Sequence, residues 1–138
     1  ILMACAPFLE LALNPAFLII ATNNAPAPGP GAGAYSVAKA GLTQLARVAA
    51  LEMAAKGIRV NVLHPNAVFD TSLWSEELLK ERADSYGISV DAYKARNLLG
   101  VEITSSDVAA MACAAAGPVF AKTTGAQIPI DGGDERVI

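Results

Sequence analysis

The feature that most constrains the fold is AFLIIAT at 16–22, a continuous apolar run that is too short for a helix. A second run rich in β-branched residues, IRVNVLHP at 58–65, ends in a proline. Short apolar runs without a polar face are typical of strands that helices cover on both faces. We therefore predict two buried strands, over 16–22 and 58–65.

Helical patterns flank these strands. The pattern of residues 1–13 predicts the end of an amphipathic helix, which Asn14-Pro15 terminates. A second helix is predicted over 36–56, where apolar residues recur at helical spacing. Gly57 is the expected left-handed cap of this second helix. The Pro/Gly-rich segment 23–34 is either a loop between strand and helix or a flexible linker. Its close neighbours, a buried strand and a helix, favour the loop.

The rest of the chain carries weaker patterns. Two short helices are predicted around 73–84 and 89–98, and Thr104 is a plausible N-cap for a helix that runs to Ala116. AQIPI at 126–130 predicts a last short strand before Asp131-Gly132-Gly133, which we interpret as a turn and not as a metal site.

This order of elements predicts an α/β fold with a parallel sheet, because strands separated by helices are joined by right-handed crossovers. Three strands make a thin sheet for so apolar a chain. The fold class we predict is the C-terminal half of a doubly wound, Rossmann-like sheet. Ligands of such sheets bind beyond the carboxyl ends of the strands, here at Thr22-Asn23, His64-Pro65-Asn66 and Asp131-Gly132.

Composition narrows the functional classes. With 138 residues the chain is at most one domain, and a net charge of −3 gives no basic surface for nucleic acid. No apolar run approaches the length of a membrane span, and no Cys or His spacing predicts a metal site. Cys5 and Cys113 are expected to be free thiols in the cytoplasm. The chain lacks an initiator Met and opens within a pattern, so we expect it to be a piece of a longer protein, called the parent below.

Tyr35 and Lys39 are the candidate acid–base pair. At positions i and i+4 they point from the same face of a helix. A free tyrosine transfers protons poorly at neutral pH, and a nearby ammonium favours the phenolate. Thr22, at the end of the preceding strand, could hold a carbonyl oxygen against the tyrosine. The spacing alone also fits an ordinary helix start in which the tyrosine packs on its neighbour.

The wider context resembles the short-chain dehydrogenase/reductase family. The strand, the hydroxyl at 22, the Pro/Gly loop, YSVAK at 35–39, RVNVLHP and TGAQIPIDGG together match the C-terminal half of a member, over nearly the whole chain. The resemblance makes Tyr35 and Lys39 catalytic and places Thr22 where the family has a catalytic serine. It implies NAD or NADP as the cofactor. The phosphate-binding glycine loop, the acidic ribose ligand and the asparagine of the proton relay would lie upstream.

The resemblance also implies cofactor contacts after the second strand. The family's Pro-Gly turn falls on Pro65-Asn66, and asparagine tolerates a left-handed backbone less easily than glycine. Val68 would offer backbone contacts to the carboxamide. Asp70 or Thr71 would lie near the phosphates, although the stretch is one residue longer here than in the family.

A narrower resemblance concerns the substrate. APGPGAGAYSVAKAGL, RVNVLHPNAVFDT and FAKTTGAQIPIDGGDERVI are similar to the dehydrogenase part of bifunctional rhamnulose-1-phosphate aldolase/lactaldehyde dehydrogenases, which usually have serine at position 22. Asn23 could line a substrate site or satisfy the strand end, and Trp74 could cover the substrate or pack a helix. The single histidine, His64, is expected to be a hydrogen-bonded structural residue.

Two functions follow as hypotheses. In the first, residues 1–138 are the catalytic half of an oxidoreductase that exchanges hydride with a small hydroxy or carbonyl compound, and the isolated piece is inactive. In the second, the chain is a non-catalytic half-domain or truncated oligomerisation module. The expected small-molecule partner is a substrate. The expected protein partner is either further copies of the chain, in a dimer or tetramer, or the missing N-terminal half of the same chain. Nucleic acid and a membrane are not expected as partners.

Overall fold

The computed structural model describes residues 1–133, which form a three-stranded parallel sheet with helices packed on it. The sheet order is β1-β2-β3, so β2 is central. The three strands and flanking helices confirm the predicted α/β class. The elements are α1 Leu2–Leu9, β1 Ala16–Ile20, α2 Gly33–Ala54, β2 Arg59–Pro65, α3 Glu76–Ser85, α4 Val90–Lys94, α5 Ser105–Ala116, a 3-10 turn Pro118–Phe120 and β3 Gln127–Ile130.

The two faces of β2 show how the layers are arranged. Val60 and Val62 pack with the small residues of α2, whereas the side chain of Arg59 reaches the end of α5. Because successive side chains of a strand point to opposite faces, α2 and α5 cover opposite faces of the sheet. The core on the α2 side contains Ala6, Ala46, Ala49, Ala50, Met53, Ile58, Val60 and Val62.

Arg59 fastens the second layer to the sheet. Its buried guanidinium donates to the carbonyl oxygens of Ala115 at 2.9 Å, Ala116 at 2.9 Å and Phe120 at 3.0 Å. Carbonyls at a helix C-terminus have no intrahelical donor, and a cation is favourable there. The charged Arg59 can therefore be buried in the apolar strand β2, because carbonyl groups at the end of α5 accept its hydrogen bonds.

The predicted ends of two helices were wrong. Helix α1 stops at Leu9 and not at 13, because Leu11 and Leu13 are 85% and 106% exposed and find no core. Helix α4 stops at Lys94 and not at 98, because the N–H groups of Leu98 and Leu99 donate to the carbonyls of Gly133 and Gly132.

Other boundaries moved less. Helix α2 starts three residues before the predicted 36, and β1 ends at Ile20, two residues before the predicted 22. Gly57 has φ +69°, which confirms the left-handed cap. Thr104 caps α5 in a capping box with Asp107. Of the described residues, no helix is long and apolar enough to cross a membrane, and no three potential ligands cluster as a metal site would require.

Candidate active site

Tyr35 and Lys39 lie on the first two turns of α2, as the sequence predicted. The Tyr35 side chain is 49% exposed, and the Lys39 ammonium lies 5.9 Å from the centre of its ring. Lys39 Nζ also donates to the carbonyl oxygen of Ile20 at 3.4 Å. The lysine therefore joins the start of α2 to the carboxyl end of β1, with the tyrosine beside it and open to solvent.

Thr22 lies two residues beyond β1 and is buried. Its Oγ1 accepts a hydrogen bond from the N–H of Asn24 at 3.3 Å. A hydroxyl that accepts through oxygen still has its own proton to donate. Thr22 is therefore able to donate a hydrogen bond to a substrate oxygen, from the same end of β1 that Lys39 reaches.

The turn after β2 differs from the predicted Pro65-Asn66 geometry by one residue. Asn66 continues the sheet, since its N–H donates to the carbonyl of Ile130 at 3.1 Å, and the left-handed residue is Ala67 with φ +54°. Here an alanine adopts a conformation that glycine takes more easily. The chain therefore turns one residue later than the sequence predicted.

Val68 and Thr71 follow this turn and contact each other. The Thr71 hydroxyl donates to the carbonyl oxygen of Val68 at 3.2 Å, and Val68 forms a parallel bridge with Ile103. Both residues lie beyond the carboxyl end of β2, where the resemblance places cofactor contacts. The Val68 carbonyl is already engaged by the Thr71 hydroxyl.

Asp70, the alternative to Thr71 near the phosphates, binds the start of α5. Its carboxylate accepts from the Ser105 hydroxyl at 2.6 Å and from the Ser105 N–H at 2.9 and 3.0 Å. These bonds, the one from the hydroxyl first, lower the pKa of Asp70 below its ordinary value. The carboxylate connects the segment 66–104 between β2 and α5, called the insert below, to the first residue of α5. Thr71 therefore stays the candidate for contact with the cofactor.

Asn23 lies in a cavity on the α2 face of the sheet. The cavity has a volume of about 680 Å³ and runs between α2 and β3. Asn23 is 1% exposed, and its side-chain N–H₂ group has no hydrogen-bond partner within residues 1–133. The described residues that line this cavity include Asn23, Thr43, Arg47, His64, Gln127 and Asp131. The described part of the lining does not include Tyr35, Lys39 or Trp74.

Trp74 belongs to an aromatic cluster of the insert between β2 and α5. Its ring lies edge-on to Phe69 at 4.9 Å, and Phe69 contacts Tyr93 at 5.5 Å. Tyr93 stacks on Tyr86 at 5.7 Å, and its partial burial raises its pKa. The insert thus has a small core of its own. The packing role predicted as one alternative for Trp74 is present, and no contact of Trp74 with Tyr35 is observed.

The comparisons with known proteins identify the family of this chain. Residues 2–134 match the family described as enoyl-(acyl carrier protein) reductase, a short-chain dehydrogenase/reductase family. The chain belongs to the short-chain dehydrogenase/reductase family. An uncharacterized oxidoreductase of Bacillus subtilis (strain 168) is 39% identical over 121 residues, which are 84% of this chain and 18% of that protein.

Solved structures of the family are similar over most of the chain. An NADPH-bound short-chain oxidoreductase from Pseudomonas aeruginosa PAO1, described as containing an atypical catalytic center, superposes with a TM-score of 0.80 at 27% identity, over 99% of this chain and 52% of that one. An oxidoreductase of the same family from Burkholderia thailandensis gives a TM-score of 0.67 at 32% identity, over 85% and 43% of the two chains. The chain spans about half the length of these family members and less than a fifth of the Bacillus relative.

Sequence reasoning missed one part of this family site. His64 was expected to be hydrogen-bonded, which is confirmed, but its partners were not foreseen: the carbonyl of Thr22 at 2.8 Å and Oε1 of Gln127 at 2.7 Å. A histidine at the end of a strand carries no signal for which neighbouring strands it joins. The pairing register supplies that information, since β2 aligns Val62 with Gln127 and Leu63 with Ile20.

Proposed function

We propose that this chain is the catalytic half of a nicotinamide-dependent oxidoreductase that interconverts a small hydroxy compound and its carbonyl form. The observation that carries the proposal is the placement of Lys39 between the Tyr35 ring and the carboxyl end of β1. An ordinary helix-start tyrosine needs no such cation at the end of a neighbouring strand. Family membership supplies the reaction class, and the NADPH in the Pseudomonas neighbour supports NAD or NADP as the cofactor.

The residues present fit such a cofactor on the side of β1. The Tyr35 ring and the Lys39 ammonium are accessible at the edge of the sheet that has no neighbouring strand among the described residues. Lys39 would bind a ribose hydroxyl, and Pro65, Asn66, Val68 and Thr71 would lie along the nicotinamide and phosphates. When bound, the cofactor accepts or supplies the hydride.

The residues of the chain manage the proton. In the reductive direction the Tyr35 hydroxyl donates its proton to the substrate oxygen, and the Lys39 ammonium stabilises the phenolate that results. The Thr22 hydroxyl donates a hydrogen bond to the same oxygen, because its own oxygen already accepts from the Asn24 N–H. In the oxidative direction the phenolate accepts the proton back.

We propose lactaldehyde as the first substrate to test. The support is the similarity of three long strings, including RVNVLHPNAVFDT, to the dehydrogenase part of bifunctional aldolase/dehydrogenases. The Bacillus relative is more than twice as long as the Pseudomonas family member, since this chain spans 18% of the first and 52% of the second. Such a length is what a two-enzyme chain requires.

A second function has its own supporting observation. Helix α2 carries exposed apolar side chains at helical spacing, Val37 at 74%, Leu45 at 62% and Leu51 at 80%. A stripe of this kind suits a contact with another copy in a dimer or tetramer. If the parent binds no dinucleotide, the chain would serve as an oligomerisation module without catalysis.

The test is turnover of lactaldehyde by the purified parent, followed through the absorbance of the reduced nicotinamide. We expect Tyr35→Phe to lower kcat about 10²- to 10⁴-fold while cofactor binding is retained. The matched control is Tyr86→Phe, because Tyr86 is similarly exposed at 55% but lies in the aromatic cluster. Unchanged turnover of the Tyr35 variant would remove that residue from the mechanism.

A further inference from the structure

We infer that His64 is a positioning residue that orients the Thr22 hydroxyl by holding the Thr22 carbonyl. The inference rests on the proposed function, since it assigns Thr22 a substrate contact. His64 is at the end of β2, is 5% exposed, and touches neither Tyr35 nor Lys39 in any hydrogen bond of the described chain. Its effect on the reaction would therefore pass through Thr22.

The geometry of the ring assigns its proton. His64 Nδ1 lies 2.8 Å from the carbonyl oxygen of Thr22, and a carbonyl oxygen only accepts. Nδ1 must therefore carry the hydrogen of this bond. The other nitrogen, Nε2, lies 2.7 Å from the Oε1 position of the Gln127 side-chain amide on β3. In a neutral ring with its proton on Nδ1, Nε2 accepts, so the N–H₂ group of that amide faces it. Contacts at both nitrogens fix the rotation of the ring as well as its place.

The Thr22 carbonyl oxygen has two hydrogen-bond partners among the described residues. His64 Nδ1 lies at 2.8 Å, and the N–H of Ala25 donates at 3.1 Å. The sheet bonds beyond Ile20 belong to the residues on either side of Thr22, since the N–H of Ala21 donates to Leu63 and the N–H of Asn23 donates to Pro65. The Ala25 bond lies within the turn that follows β1, so His64 is the partner that connects this buried carbonyl to β2.

Orientation of the carbonyl affects the hydroxyl of the same residue. Thr22 is β-branched, so its χ1 angle is restricted and the direction of Oγ1 follows the backbone. Among the described residues, the one hydrogen bond of this hydroxyl is the bond it accepts from the Asn24 N–H at 3.3 Å, which is long. A rotated Thr22 peptide would therefore move the hydroxyl away from the substrate oxygen. Displacements of about 1 Å at a reacting group can cost on the order of 10²-fold in rate.

Two replacements of similar polarity separate the contacts of His64. His64→Asn places an amide N–H₂ near the position of Nδ1 and can donate to the Thr22 carbonyl. His64→Gln reaches toward the position of Nε2, so it retains the Gln127 side and loses the Thr22 donor. His64→Leu removes both contacts and keeps an apolar bulk. Each variant is made in the parent protein and in a Thr22→Ala background.

We expect His64→Leu to lower kcat about 10- to 100-fold, with little change in the KM for the cofactor. His64→Asn should retain most of the activity, and His64→Gln should resemble His64→Leu. In the Thr22→Ala background the His64→Leu replacement should cost less than about twofold, because residues that act through one group are not additive. A merely structural role would lower activity by the same factor in both backgrounds.

Two results would overturn the inference: equal losses with and without the Thr22 hydroxyl, or an active His64→Gln beside an inactive His64→Asn. Melting temperature and circular dichroism of every variant identify one that fails to fold, and the Asn/Gln pair decides the question if His64→Leu does not fold. The proposed function fails in a different way, through Tyr35→Phe or Thr22→Ala with wild-type turnover. The two failures are therefore distinguishable.

Discussion

Strands β1 and β2 belong to one sheet and are both largely apolar, yet they are buried to different degrees. Residues 59–64 of β2 are all buried, and Val60 and Leu63 are 0% exposed. Four residues of β1 are only half-buried, and Ile20 is 45% exposed. The difference follows from their neighbours, since β2 pairs on both sides and β1 pairs only with β2 among the described strands. The open side of β1 is also the side on which Lys39 reaches the Ile20 carbonyl.

The comparison explains how one sheet edge can serve a site. A strand covered on both sides contributes stability, whereas a strand with an open edge offers backbone and side chains to whatever completes it. We propose that the upstream half of the parent supplies the missing neighbour of β1 together with the phosphate-binding loop. On this account the fully buried strand holds the site in place, and the exposed strand presents it.

The largest expected difference between the strands is in stability. We expect Leu63→Ala in the 138-residue chain to lower the free energy of unfolding by about 2–5 kcal/mol, because a buried side chain leaves a cavity. Ile20→Ala should lower it by less than about 1 kcal/mol, since much of that side chain is in water already. Urea unfolding followed by circular dichroism measures both. Equal losses would mean that β1 is covered by something that the described residues do not include.

A smaller effect is expected on association. Exposed edge strands tend to pair with other chains, and a charged side chain on the edge discourages this. We expect Ile20→Lys to reduce self-association of the 138-residue chain several-fold, as sedimentation velocity would show. Val119→Lys is the control, because Val119 is 83% exposed but lies in the 3-10 turn away from β1. The same reduction in both variants would point to net charge and not to the edge.

These two strands also show what the sequence could predict. The run 16–22 and the run 58–65 were both identified, because apolar patterning is local and was sufficient to place strands and helices. Val60 is fully buried and Ile20 is not because their strands have different numbers of pairing partners. The apolar pattern of one strand contains no information about which strands pair with it. Tyr35, Lys39 and Thr22 could be named as candidates because a spacing and the resemblance to a family motif mark them.

Other parts of the site could not be predicted for the same physical reason. The bonds from His64 to Thr22 and Gln127 join three strands that are distant in sequence, and they depend on register. The placement of Asn23 in a cavity between α2 and β3, away from Tyr35, depends on how the chain turns after β1. The left-handed residue is Ala67 and not Asn66, because the Asn66 N–H still donates to the carbonyl of Ile130 on β3.

The smallest effect concerns the segment that follows β2. Asp70 ties this segment to α5, so we expect Asp70→Asn to lower the melting temperature by a few degrees at neutral pH. Because hydrogen bonds from Ser105 lower the pKa of Asp70, its contribution is present above the unfolded pKa near 4 and is lost as pH falls through the lower folded value. The difference from wild type should therefore shrink below about pH 4.

Asp84→Asn serves as the control for this prediction, because Asp84 is an exposed carboxylate of α3. Melting curves between neutral and acidic pH compare the two variants. If the difference in melting temperature between Asp70→Asn and wild type persisted unchanged in acid, the charge of the carboxylate would not be what connects the segment after β2 to α5.

The measurement that tests the central claim most directly is lactaldehyde-dependent turnover of nicotinamide by the purified 138-residue chain and by the parent, at equal molar concentration. The account predicts turnover by the parent and none by the short chain, because we propose that the phosphate-binding half of the cofactor site pairs with the open side of β1 in the parent. Turnover by the short chain at the rate of the parent would contradict it, since residues 1–138 would then contain the whole site.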